Sequence, residues 1–296
     1  MARSNRVIYA ALGANFAIAG TKFLAGLFSR SSAMIAEGVH SLVDSANELL
    51  LLYGISRSNK ERDDAHPFGY GRELYFWSFI VSILIFSFGA GVAFVQGYLH
   101  LRRPAIVGPM KWNYIVLGFS LLFEGGSFLI AFRAFRKTTR EPLWTAIRHS
   151  KDPTDFIVLF EDGAAVLGLI VVFVLLFIGR QTNNPYLDGV ASLAVGAILT
   201  VASALLARES RSLLIGEGIS DRTRQAIVGM VKEDHNGFSV RRLFSIYQSP
   251  DEVLLVLIVD VPPELTAAEL TERMSAVKQK IKERYPRITY IVMQPE

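Results

Sequence analysis

The apolar stretch AEGVHSLVDSANELLLLYGI, residues 36–55, is long enough to cross a bilayer but carries ionisable side chains. His40 and Asp44 are four residues apart, so a helix places both on one face, with Asn47 three residues further along it. A charged side chain at the centre of a membrane helix costs about 2.5–3.5 kcal/mol on insertion, so such residues usually face a protein interior. Because imidazole and carboxylate groups bind divalent metals, this stretch predicts a cation site inside the membrane.

A second apolar stretch, TDFIVLFEDGAAVLGLIVVFVLLFI, residues 154–178, also carries acidic side chains. Glu161 and Asp162 are adjacent, and adjacent positions on a helix point about 100° apart, so only one of them can face a given point squarely. Two carboxylates from this stretch facing His40 and Asp44 would supply the four ligands that a tetrahedral Zn²⁺ takes. The spacing alone does not decide which of the two acids is the better ligand.

The same acidic residues also fit a structural role. In that alternative they hydrogen-bond to Asn15, to Lys22 or to hydroxyl side chains, and so hold a bundle of helices together. The chain has no cysteine, which excludes disulfides, thiolate metal sites and cysteine nucleophiles. Any metal must therefore be held by His, Asp, Glu or Asn side chains.

Composition indicates an integral membrane protein. Of the 296 residues, 51% are hydrophobic and 20% are charged, and the apolar residues are clustered. A bilayer core of about 30 Å requires about 20 apolar residues per helix. Runs of that kind predict six transmembrane helices, at 7–28, 33–55, 74–99, 112–132, 154–178 and 186–207. The mixed charge that follows predicts two domains, a six-helix transmembrane domain over 1–209 and a soluble domain over 210–296.

Lysine and arginine residues are distributed unequally between the predicted loops. They are frequent in the N-terminal segment and in the loops 56–73 and 133–151, and sparse in the alternate loops. Because cytoplasmic loops are enriched in these residues, both termini and the soluble domain are predicted to be cytoplasmic. This bias accounts for the isoelectric point of about 9.3, so the basic residues do not indicate a nucleic acid partner.

These features together resemble the cation diffusion facilitator family of metal/proton antiporters. The resemblance rests on His40 and Asp44 in the second of six helices, an acidic residue in the fifth, the loop DDAHPFGYGRE at 63–73 and a small cytoplasmic tail. The strings DPTDFIVLFEDGAAVLGL and NPYLDGVASLAVG are most similar to the branch of the mitochondrial zinc transporter nine and its bacterial relatives. The match covers essentially the whole chain.

The resemblance implies a transporter rather than an enzyme, with no cofactor. It implies a homodimer in the lipid bilayer of a bacterial inner membrane, joined through the cytoplasmic domain and the membrane helices. Such a protein would export a divalent metal, most simply Zn²⁺, in exchange for protons, with Mn²⁺, Fe²⁺ and Co²⁺ as alternative substrates. A non-transporting scaffold of the same fold is a further alternative. So is an intramembrane hydrolase that uses Asp44 and Asp162 as an aspartyl pair, or a metal with His40.

The chain departs from the family pattern in the fifth helix. Family members usually carry a second liganding pair there, whereas Val158 stands four residues before Asp162. We rank Glu161 first as the replacement because it restores the missing charge, and Asn47 second because it shares the face of the other ligands. Glu124, in FSLLFEGGSFLIAF, is predicted to be a further ligand or a proton carrier, or else a protonated glutamate in a helix contact.

The loop 63–73 resembles the peripheral metal site of the family, with Asp63, Asp64 and His66 at ligand-like positions. Tyr70 occupies a position where some relatives have a further histidine, and neutral tyrosine is a poor ligand. The alternative is that the string HPFG forms a turn that fixes the start of the third helix.

The C-terminal segment predicts the element order αββαβ, which is typical of a small ferredoxin-like sheet. The predicted helices cover 220–235 and 266–286, and the predicted strands cover 241–248, 252–261 and 287–294. Several relatives bind zinc in this domain through histidines, but His235 is its only histidine. We therefore expect dimerisation to rest on an apolar strand face that includes Leu254, Val256 and Ile258 rather than on metal ions.

Overall fold

The computed structural model describes residues 2–104, 111–138, 141–233 and 237–296. The chain divides into two compact units, one formed by Met1–Gly54 and Trp77–Ser210 and the other by Ile55–Phe76 and Arg211–Glu296. The second unit thus combines the C-terminal residues with the segment that follows the second predicted span. The functional division into 1–209 and 210–296 stays a prediction.

Six long helices occur in the described ranges, and each contains one predicted span. They are α1 (Ala2–Ser29), α2 (Ser32–Ser58), α3 (Glu73–Arg102), α4 (Lys111–Thr138), α6 (Pro153–Thr182) and α7 (Tyr186–Ile215), with a short α5 (Leu143–His149) before α6. Among the residues described, four helices are long and apolar enough to cross a membrane. They are Glu73–Arg102, Lys111–Lys137, Phe156–Thr182 and Tyr186–Ile215. The described residues therefore include a membrane-type helical domain with four strongly apolar helices.

The two helices that carry the predicted ligands, α2 and α6, each have a carboxylate that accepts a hydrogen bond from the backbone of the first turn. The backbone N–H of Thr154 donates to Asp152 at 2.9 Å, and Pro153 occupies the first position of α6, where its fixed φ suits a helix. The backbone N–H of Ser32 donates at 2.7 Å to Asp188, which comes from α7. Caps of this kind stabilise a helix by about 0.5–2 kcal/mol. The starting points of both helices are therefore well defined.

The C-terminal residues have the predicted element order αββαβ. The elements are α8 (Asp221–Glu233), β1 (Ser239–Ser249), β2 (Glu252–Asp260), α9 (Ala267–Arg284) and β3 (Ile288–Pro295). β2 lies in the middle of the sheet, antiparallel to β1 and parallel to β3. This part of the chain is thus a small mixed sheet with two helices.

The central strand β2 has two different faces, because alternate side chains of a strand point to opposite sides. Every second residue from Val253 to Val259 is buried and packs with Ile227 of α8 and Ile281 of α9. Val256 and the other intervening residues are half-buried on the opposite face. The helices therefore cover the first face of the sheet, and the second face is apolar and only partly covered.

The segment 55–76 packs against this sheet within the second unit. The ring of Phe68 meets the ring of Tyr290 edge-on, with 5.4 Å between the ring centroids. Gly71 passes so close to β1 that a Cβ atom there would lie 2.6 Å from the carbonyl oxygen of Gln248. A larger residue does not fit at this position, which gives the glycine of the HPFGYGR string a packing role.

Candidate functional site

One face of α2 carries polar side chains at the spacing of successive helical turns, namely Glu37, Ser41, Asp44 and Glu48. This face meets polar groups from neighbouring helices. Asn15 of α1, for example, donates a hydrogen bond to Glu48 at 2.9 Å. The acidic residues of this α2 face thus lie near polar groups of other helices.

His40 and Asp44 lie side by side, as their spacing predicts. His40 is only 1% exposed, and its Nδ1 atom lies 3.2 Å from Asp44 Oδ1. The two groups are not aligned for a hydrogen bond. Within the described residues, both ring nitrogens of His40 and Oδ1 of Asp44 are buried without a hydrogen-bond partner. Because buried polar atoms are normally satisfied, these two side chains offer lone pairs that a bound cation would use.

Glu161 and Asp162 of α6 face different helices. Asn47 of α2 donates to Glu161 Oε1 at 2.7 Å, and Glu161 lines the same cavity as Asp44. Asp162 Oδ2 instead accepts a hydrogen bond at 2.8 Å from Ser127 of α4. The 100° separation of adjacent positions therefore places Glu161 beside Asp44, and Asp162 against α4.

A cavity of about 280 Å³ lies among these helices and is lined by the carboxylates of Asp44, Glu48, Glu124, Glu161 and Asp162. Val158, which stands where the family pattern has a ligand, also lines it. His40 and Asn47 contact lining residues rather than the cavity itself. No group of three or more His, Asp or Glu side chains in the described ranges is arranged around one point to hold a metal. The predicted ligands are therefore neighbours, but they do not converge.

Lys22 of α1 belongs to the same region, although the sequence suggested only a structural pairing for it. Its side chain is fully buried, and its Nζ atom lies 2.8 Å from Glu124 Oε1. Glu124 is therefore ion-paired, and its predicted role as a ligand or proton carrier stays a prediction. The sequence signal that identifies Lys22 is its isolation in the apolar string AIAGTKFLAG, since ionisable residues within membrane helices are usually functional.

The peripheral loop has a different arrangement, in which a lysine contacts the predicted ligand. Lys60 Nζ lies 3.2 Å from Asp63 Oδ2 and 2.9 Å from the hydroxyl oxygen of Tyr70, which itself donates to Asp63 at 2.6 Å. The hydrogen bond from Tyr70 holds the pKa of Asp63 well below its usual range. His66 Nδ1 lies 3.3 Å from the same carboxylate, and Asp64 is exposed. A metal in this loop would have to displace the ammonium of Lys60.

His235, the predicted histidine of the C-terminal domain, lies outside the described residues. The structure therefore places neither its side chain nor any ligand contributed by it. The expectation that this domain lacks a metal cluster stays a prediction.

Comparison with known proteins connects this geometry to a family. The sequence pattern of the cation efflux transmembrane domain matches residues 8–215. Metal tolerance protein C4 of Arabidopsis thaliana is 35% identical over 238 residues, which are 78% of this chain and 51% of that protein. The human mitochondrial proton-coupled zinc antiporter SLC30A9 is 34% identical over 216 residues, or 72% of this chain and 38% of that protein.

A bacterial relative extends the alignment to the C-terminal domain. Magnetosome protein MamM of Paramagnetospirillum magneticum is 24% identical over 286 residues, covering 94% of this chain and 83% of that protein. The chain spans about half or less of the length of the plant and human relatives. From the domain match and the plant and human relatives, the chain belongs to the cation diffusion facilitator family, a family of transmembrane cation efflux transporters.

Proposed function

We propose that this protein is a metal/proton antiporter that exports Zn²⁺ from the cytoplasm. The observation that carries the proposal is the buried pair His40 and Asp44, whose unsatisfied lone pairs adjoin Glu161 and a carboxylate-lined cavity. A mixed nitrogen and oxygen ligand set suits Zn²⁺ better than the oxygen-only sets typical of Mg²⁺ and Ca²⁺. The name of the human relative, a proton-coupled zinc antiporter, supports the same substrate.

Proton coupling follows from the chemistry of these ligands. Imidazole and carboxylate groups bind a metal only when deprotonated, so protons and Zn²⁺ compete for the same lone pairs. When the site opens to the more acidic side, protonation of His40 and Asp44 releases the metal. When it opens to the cytoplasm, the groups lose their protons and bind the next ion. Helices that rock around a fixed site give such alternating access.

The proposal includes a membrane topology. All six long helices span the bilayer, both termini are cytoplasmic, and the αββαβ segment is a ferredoxin-like cytoplasmic domain. The excess of basic residues in alternate loops supports this orientation. We place the protein in a bacterial plasma membrane, because a bacterial relative aligns with 94% of the chain.

Zinc transport by the purified protein in liposomes tests the proposal. We expect saturable accumulation of radioactive zinc that dissipates an imposed proton gradient, because one ion is exchanged for the other. Empty liposomes provide the background, and an imposed gradient of K⁺ in place of protons tests the coupling ion. Zinc binding without any flux would instead support a non-transporting scaffold and would contradict the antiporter.

We further propose that the open face of the C-terminal sheet forms a homodimer contact, alongside the membrane helices. Val256 is paired across the sheet with Phe244 of β1 and Val292 of β3. Phe244 and Val292 are 53% and 50% exposed. A row of accessible apolar side chains on a flat sheet is well suited to pack against a second copy.

Val256→Glu should convert the dimer into monomers, because it would place an unpaired charge at the centre of this contact. Analytical ultracentrifugation of the detergent-solubilised protein measures the result. Ala276→Glu, which adds the same charge to an exposed position of α9, is the matched control and should leave the dimer intact. A dimeric Val256→Glu protein would exclude this face as a required contact.

Purified protein should hold about one tightly bound zinc ion per protomer rather than several. The physical reason is that Asp63 in the peripheral loop is already engaged by Lys60 and Tyr70. Equilibrium dialysis with radioactive zinc measures the stoichiometry. Several ions per protomer would show that the peripheral loop or His235 binds metal.

A further inference from the structure

The ammonium group of Lys22 is completely satisfied by other helices. Its Nζ atom lies 2.8 Å from Ser41 Oγ, 2.8 Å from Glu124 Oε1 and 3.3 Å from Glu37 Oε2. An ammonium group has three N–H donors, and these three oxygens match them one to one. Two of the oxygens come from α2 and one from α4, whereas the lysine comes from α1. Three helices thus meet around one positive charge.

The surrounding oxygens have binding capacity beyond these three hydrogen bonds. Glu37 is fully buried, and its Oε1 atom has no hydrogen-bond partner among the described residues; the same holds for Oε2 of Glu124. Gly168 of α6 leaves the space for Glu37, because a Cβ atom there would lie 3.0 Å from Glu37 Oε1. Two carboxylates and a hydroxyl around one point form an oxygen ligand set of the kind that binds cations.

We propose that Glu37, Ser41 and Glu124 form a second cation site in the membrane domain, which this chain fills permanently with the ammonium of its own Lys22. The neighbouring site around Asp44 then holds the exchangeable metal. This inference rests on the proposed function only for the identity of that neighbouring site.

A tethered cation at this position has two physical effects. It supplies a counter-charge for Glu37 and Glu124, which could not both remain ionised in a bundle interior without one. It also lies beside the His40 and Asp44 pair, because Ser41, which it contacts at 2.8 Å, follows His40 directly in α2. Its positive charge therefore opposes the entry of a second metal ion and limits the cavity to one.

Lys22→Ala tests the assignment, because it vacates the space of the ammonium and leaves the three oxygen ligands in place. We expect the purified full-length variant to bind about two zinc ions per protomer, where the unmodified protein binds about one. Equilibrium dialysis with zinc alone measures both values. A folded Lys22→Ala protein whose stoichiometry equals that of the unmodified protein would overturn the proposal.

Matched variants locate the additional ion. Lys22→Met removes the charge but fills the space, and it should bind no additional zinc. Adding Glu37→Gln to Lys22→Ala should remove the additional ion, and methylammonium should compete for it, because this amine reproduces the missing headgroup. An additional ion that persists in Lys22→Met, or that methylammonium does not displace, would place it elsewhere and contradict the assignment.

The experiment also covers a Lys22→Ala protein that folds only in the presence of methylammonium. Such a protein is purified with the amine, and added zinc should then displace one amine per protomer. A failure of zinc to displace the amine would overturn the proposal. If the unmodified protein binds no zinc, the proposed function fails. A single zinc ion gained by Lys22→Ala would still support the second site.

Discussion

Asp44→Asn and Asp162→Asn should each abolish metal-driven proton flux, lowering it by at least about 100-fold. Loss of a group that merely orients a metal ligand already costs about 10–100-fold in affinity. An amide keeps the shape and a carbonyl acceptor but cannot take up a proton in exchange for the metal, so coupling is lost before folding. Flux is measured with a pH-sensitive dye in liposomes, using variants that keep the oligomeric state of the unmodified protein.

The controls for this experiment lie in the same cavity. Glu48→Gln changes a lining residue that already accepts a hydrogen bond from Asn15, and it should retain most of the flux.

Glu161→Gln tests whether Glu161 is the fourth ligand. It should lower flux as severely as the aspartate variants if Glu161 binds the metal, and less if Glu161 only lies beside Asp44. Normal flux in both aspartate variants would mean that the polar face of α2 is structural and that the antiporter mechanism is wrong.

His40→Asp should shift substrate preference away from Zn²⁺ and toward Mn²⁺ by about tenfold or more, because an oxygen ligand replaces the imidazole nitrogen. The measurement is competition between the two metals for uptake into liposomes. The intrinsic affinities of divalent metals follow much the same order at any site of this kind. The identity of the ligands therefore has to provide the selectivity.

His66→Asp makes the same substitution in the exposed peripheral loop and serves as the matched control. It should leave the competition between metals unchanged. If His40→Asp also leaves it unchanged, His40 is not a ligand, and its unsatisfied nitrogens need a different explanation.

The sequence predicted the positions of the helices that carry His40, Asp44, Glu161 and Asp162 well, for local reasons. The spacing of His40 and Asp44 places them on one face of any helix, and apolar runs of sufficient length define where the long helices lie. The alternation of β2 likewise determines which residues are buried, because the period of a strand is fixed. Expectations of this kind need no knowledge of distant partners.

Other features depend on contacts between distant parts of the chain, which spacing does not reveal. Which of Glu161 and Asp162 faces α2 is decided by how α6 rotates against its neighbours. The association of the loop 55–76 with the C-terminal sheet depends on pairs such as Phe68 and Tyr290, which are far apart in sequence. Lys22 was recognisable as unusual, but its three oxygen partners come from two other helices and were not predicted as a set.

The cap that Asp188 provides for α2 affects how that helix can move. Its carboxylate accepts hydrogen bonds from the hydroxyl of Ser31 and from both the backbone N–H and the hydroxyl of Ser32. Sliding α2 along α7 would break all three bonds at once, whereas tilting α2 about Ser32 would preserve them. This end of α2 is therefore a natural pivot. Because α2 rises about 1.5 Å per residue, Asp44 lies about 18 Å from that pivot, and a tilt of only a few degrees displaces it by more than an ångström.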